Sequence, residues 1–185
     1  MPLRLSQNDP RWKTVIIPVR RGIKAITIGS DGCYLTMLCM GISKFYPSPQ
    51  GNYVRPDDLT ALLDFDDIGQ VRYSEINQKI FKDKLGIAFD DRIWGYFPYR
   101  DNKIIKELCK NPDYFVGLRV VTKSGYNHWL YCVGRSFYKN LFGFACNDTW
   151  DGTRLWKAVG YLGKYVRIDG YVVFRRHKRL ERGVL

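Results

Sequence analysis

The stretch TIGSDGCYLTMLCMGISKFY, residues 27–46, decides the reading of this chain. It opens as a loop punctuated by Gly29 and Gly32. From Cys33 onward Leu35, Leu38, Cys39, Ile42 and Tyr46 recur at helical spacing, until PSPQG at 47–51 ends the pattern. A buried helix therefore begins at or next to Cys33. A thiol in that position meets unpaired backbone N–H groups and the positive end of the helix dipole, which favour the thiolate, the form that attacks a carbonyl carbon. Gly32 is expected to let the backbone and a substrate approach closely.

Three further helices follow. Pro56, Asp57 and Asp58 ahead of LTALLDF place acidic residues at a first turn; Ser74 ahead of Asn77 and QKIFKDKLG reads as a capped helix ended by Gly86; and residues 101–110, DNKIIKELCK, read as another. The last two carry few apolar residues and belong on the surface. After Pro112 the runs YFVGLRVVT, HWLYCVGR, LFGFACND and DGYVVFRR are rich in Val, Phe, Tyr and Leu and separated by turn formers, which predicts an antiparallel sheet built by hairpins. No internal repeat interrupts this order, so the fold class is α+β, with an N-terminal helical half packed on a C-terminal sheet. The chain divides into one domain over 1–174 and a basic tail over 175–185.

With 185 residues, 45% hydrophobic and 15% aromatic, the chain can bury a full core without disulfide staples. Its five cysteines show no CxxC pair, so neither a zinc site nor a redox motif is expected, and no cofactor is implied. Cys39, Cys109, Cys132 and Cys146 sit in apolar runs and read as inert core thiols. A net charge of +12 predicts attraction to polyanions, whether cell-wall polymer, acidic protein or nucleic acid, and the tail with Arg175, Arg176, Lys178, Arg179 and Arg182 is a candidate contact. Neither a signal-peptide core nor a run of about 18 apolar residues is present, so a soluble protein, cytoplasmic or virion-associated, is expected.

A thiol nucleophile needs a base, and the chain has two histidines. His177 lies among Arg175, Arg176, Lys178 and Arg179, whose charges oppose its protonation, which leaves His128 at the start of a predicted strand. Asp148, at the end of the next strand, would come beside it, and an acceptor on Nδ1 would fix the imidazole tautomer. Asn147 and Asp151 are rivals for that place, although alternation puts Asn147 and Asp148 on opposite faces. An oxyanion needs two donors; the backbone N–H of Cys33 is one, and Gln7 is the candidate for the other. Trp129 either shields the His128 ring or packs in the core.

SQNDPRW at 6–12, IGSDGCYLTMLCM at 28–40, NHWLYCVG at 127–134 and NDTWDG at 147–152 occur in that order. Together they resemble the double-glycine, bacteriocin-processing type of papain-like cysteine peptidase and its bacterial and phage relatives. The resemblance implies a papain-like fold and assigns Gln7 to the oxyanion hole, Cys33 as nucleophile, His128 as base and Asp148 as its orienter. It departs from the pattern at Thr149, where a proline usually follows the aspartate, and over residues 47–110, where nothing of the family is recognisable. The implied activity is hydrolysis of a peptide or peptidoglycan amide bond through a thioester, as in a phage-associated wall hydrolase. The alternative is a papain-like scaffold that serves assembly in a virion without catalysis.

Overall fold

A computed structural model describes residues 3–19, 25–47, 53–94, 101–135, 144–155 and 164–177. In chain order these form α1 (Ile28–Asp31), α2 (Cys33–Phe45), α3 (Pro56–Leu62), α4 (Glu75–Asp83), β1 (Ile87–Trp94), α5 (Asp101–Lys110), β2 (Tyr114–Val121), β3 (Asn127–Arg135), β4 (Phe144–Asp148), β5 (Arg154–Leu155) and β6 (Arg167–Arg176). The class is α+β, as expected. One antiparallel sheet runs in the order β1-β6-β2-β3-β4-β5.

The helices form where local chemistry supports them. Thr27 caps α1 through a reciprocal bond pair with Ser30, Pro56 opens α3, and the Ser74 hydroxyl accepts the Asn77 N–H at the start of α4. Phe81 and Asn77 of α4 and Ile105 of α5 are nonetheless fully buried, so each of these surface helices is anchored by one face.

The sheet carries a core on either side. On one, α2, α3 and α4 pack over Phe115, Trp129, Tyr131, Val172 and Phe174; on the other, α5 covers Val116, Leu118, Val120, Leu130 and Cys132. Successive residues of β2 and β3 thus alternate between the two cores, the period-two pattern of a strand covered on both faces.

Helix α2 packs directly against the sheet through two glycines. A Cβ added at Gly41 would fall 2.5 Å from the Phe115 ring, and one added at Gly117 of β2 would fall 2.7 Å from the Met37 side chain. The two glycines, one on each surface, set the distance between the layers.

Three expectations need correction. β1 was not foreseen, because Asp90 and Asp91 break its apolar run where the register slips between Phe89 and Asp91. β6 pairs with both β1 and β2, so hairpins link β2, β3, β4 and β5 but not the whole sheet. Arg175 and Arg176 belong to β6 and pair with β1, and the tail therefore starts no earlier than His177; positions 178–185 lie outside the described residues.

Gly41→Ala should lower stability by about 1–3 kcal/mol in urea unfolding, since overpacking against Phe115 outweighs the gain of about 1 kcal/mol in helix propensity. Ile76→Ala, at a side chain 60% exposed, should stay within about 0.5 kcal/mol.

Candidate functional site

Cys33 is the first residue of α2, and Gly32 joins that helix to α1. A Cβ on Gly32 would fall 2.5 Å from both the carbonyl oxygen and a methyl of Ile28. The glycine thus lets the backbone approach closely, as expected, within the chain's own tight turn. Thr36 reinforces the turn by donating its hydroxyl to the Gly32 carbonyl at 2.9 Å.

His128 is the second residue of β3, and its ring lines the same cleft as Cys33, near enough for the thiol's charge to act on it. Asp148 ends β4 and is registered opposite Leu130, two residues beyond His128 on the same face. Asp148 Oδ1 lies 2.8 Å from His128 Nε2. The expected acceptor is therefore present, but on Nε2 instead of Nδ1.

The hydroxyl of Thr149 assigns the proton. It donates to the Trp129 carbonyl at 2.6 Å, which uses its single hydrogen, and lies 3.2 Å from His128 Nε2. It can meet that nitrogen only as an acceptor. Nε2 therefore carries a hydrogen, directed at both Asp148 and Thr149, and Nδ1 is left for Cys33. Thr149, a departure from the pattern of the resembled family, thus reinforces the orientation of the ring.

The rivals are placed elsewhere. Asn147 pairs with Tyr131 on the opposite face and donates to the Leu3 carbonyl at 3.1 Å. Asp151 accepts from the Thr153 amide and hydroxyl, as a turn residue does, and reaches Lys164 at 3.2 Å.

Asp148 is fully buried, with four donors around it. Oδ1 accepts from His128 and from the Trp150 N–H at 3.0 Å; Oδ2 accepts from Lys164 Nζ at 2.6 Å and from the Tyr165 hydroxyl at 2.7 Å. Burial opposes the charge, but these bonds outweigh it and hold the carboxyl well below the usual range. Burial likewise opposes protonation of His128, and the bonds and negative charge of Asp148 and Cys33 overcome it, raising the ring to about 9. Tyr165 stacks on the imidazole, with centroids 5.5 Å apart and planes at 24°, and Trp150 meets it edge-on at 6.4 Å. Trp129 instead packs in the core against Tyr34, centroids 5.1 Å apart.

Gln7 is buried beside the same cleft. Its backbone N–H donates to the Thr149 carbonyl at 2.7 Å, and one hydrogen of Nε2 goes to the Gly29 carbonyl at 2.9 Å. The amide is thus fixed between the β4 end and α1, just ahead of Cys33, with a second N–H to give. Its Oε1 is buried without a partner.

Cys33, His128 and Gln7 line a cleft of about 860 Å³, walled by residues 68–73 on one side and 122–128 on the other. Sequence reasoning missed Lys164, Tyr165 and the part played by Thr149. No local pattern marks the first two, since their role depends on a segment that returns to Asp148 from beyond β5. His177 lies outside the cleft, its backbone N–H bonded to the Gly86 carbonyl at 2.9 Å.

All five cysteines are free. Cys39, Cys132 and Cys146 are buried as expected, whereas Cys109 is only half-buried, its Sγ 3.3 Å from that of Cys132. Among the described residues no group of three or more His, Cys, Asp or Glu could hold a metal ion, and no helix is long and apolar enough to cross a membrane.

A thiol, an imidazole and a buried carboxylate in sequence can move the thiol proton onto the ring and hold the resulting pair of charges. No family model, curated protein or solved structure matches the chain.

A histidine titrating near 9 in the folded chain and about 6.5 when unfolded contributes stability that is complete below pH ~6.5 and is lost as the pH rises through 9. The urea midpoint should fall between pH 6.5 and 9 by more in the wild type than in His128→Gln. Equal falls would show that the ring is not held as imidazolium.

Proposed function

We propose that this chain is a papain-like cysteine peptidase or amidase that cleaves a peptide or peptidoglycan amide bond. The observation that carries this reading is the His128 ring, bonded through Nε2 to the buried Asp148 carboxylate and lining one cleft with the thiol that begins a buried helix. The helix packed on an antiparallel sheet, with the thiol at its start and the imidazole at a strand end, agrees with a papain-like architecture.

In this mechanism Cys33 gives its proton to His128 Nδ1 and its sulfur attacks the scissile carbonyl carbon. The backbone N–H of Cys33 and the second amide hydrogen of Gln7 receive the developing oxyanion. His128 then passes the proton to the leaving amine, which departs as the thioester forms. Water, deprotonated by His128, attacks the thioester, releases the acid and restores the thiol. Asp148 stays ionised throughout and steadies the imidazolium.

The net charge of +12 favours a substrate embedded in a polyanion, as peptidoglycan stem or cross-bridge peptides are in walls that carry anionic polymers. A phage-associated wall hydrolase fits this balance better than an enzyme of leader-peptide export.

At pH 6, iodoacetamide should modify Cys33 at least about tenfold faster than any other thiol of the native protein, as read by mass spectrometry, and His128→Ala should abolish that preference. Incubation with purified peptidoglycan should release new amino groups, with Cys33→Ala at least about a hundredfold slower. Indifferent alkylation and no released amines would leave a scaffold that serves assembly.

A further inference from the structure

Asp148 presents one oxygen to the imidazole and the other to an ammonium. Oδ1 binds His128 Nε2 at 2.8 Å, and Oδ2 binds Lys164 Nζ at 2.6 Å. One buried anion thus serves two cations, which compete for its charge and repel each other. The ammonium is 40% exposed on its side chain and comes from the segment leading into β6, separate from the elements that carry Cys33 and His128.

We infer that Lys164 is a positioning residue: by sharing the charge of Asp148 it sets the pH range over which His128 holds a proton beside Cys33. For its consequence this rests on the proposed peptidase chemistry, but the charge sharing itself does not.

The two cations act on the site in opposite senses. With Lys164 bound, the carboxylate is harder to protonate in acid, because a positive charge lies against it. The same charge draws on the carboxylate and repels the imidazolium, which limits how firmly His128 keeps its proton in alkali. Removing the ammonium should therefore move both limits to higher pH, whereas loosening the site as a whole would return His128 to the behaviour of a free imidazole. The other ionisable groups facing the pair are Cys33 from α2, Asp151 from the turn after β4, the phenol of Tyr165, and Cys146 buried within β4. Asp151 also holds Lys164, at 3.2 Å, and is a second anchor for the ammonium beside Asp148.

The test is direct because the chain has only two histidines. With 13C-labelled histidine, the two ring signals are titrated by NMR in the whole protein and assigned by loss of one in His128→Gln. In Lys164→Met the His128 midpoint should rise by about half to one pH unit, the size expected for one charge acting through a partly exposed contact. Lys164→Arg, which keeps the charge, should restore it to within about 0.3 units, and Asp148→Asn should lower it by more than a unit. An unchanged or lowered midpoint in Lys164→Met would overturn the inference. Should that variant not fold, Lys164→Gln carries the same comparison. Cys33 alkylation in the same variants separates the two readings: a shifted His128 with an unreactive Cys33 would retain the charge sharing and remove the peptidase.

Discussion

The close approach of α2 to the sheet is the constraint on which the rest of the molecule depends. Gly41 lets the helix rest on the Phe115 ring, and Gly117 leaves room in β2 for Met37. Dispersion contacts decay steeply with distance, so a layer spacing set by two missing side chains also gives the dense packing that offsets the entropy of ordering the helix. The same helix carries Cys33 as its first residue, so a shift of α2 against the sheet would move the thiol relative to a ring held on β3.

The ring is held by a carboxylate removed from water and compensated by four donors from three parts of the chain: the imidazole of β3, the backbone of the turn after β4, and an ammonium and a phenol from the approach to β6. A buried charge left with one partner would be costly, and full satisfaction makes it a rigid support instead. Gln7 joins the same assembly from the opposite end of the chain, bonded to Thr149 beside the carboxylate and to Gly29 beside the thiol. The site is therefore a junction of segments with few neighbours in sequence.

How far the sequence reveals this junction follows from where each signal resides. The Gly-punctuated loop and the helical spacing after Cys33 are local, and so the helix and its thiol were legible. His128 followed by elimination from two histidines, and Asp148 from its place at the end of the next strand run. The ring nitrogen that meets Asp148 was misread, because ring orientation depends on χ angles that no spacing encodes. Lys164 and Tyr165 were invisible for a related reason: they approach by tertiary return, with no period or motif. The run YVVF in β6 is a continuous apolar stretch, in keeping with a strand covered on both faces. The paired aspartates of β1 hid the neighbour it needed on its other side.

The position of β6 also bears on the order of events during synthesis. Among the described residues it is the last strand in sequence but lies between β1 and β2, so it joins the sheet only after the other described strands have been made. The segment leading into it supplies two of the four donors to Asp148. Without that segment and β6 the sheet lacks the strand between β1 and β2, and the Asp148 carboxylate keeps only the His128 and Trp150 donors. Pairings of such long sequence separation are slow to form. The arrangement around Asp148 is thus complete only once the chain through residue 176 has been made and folded into the sheet.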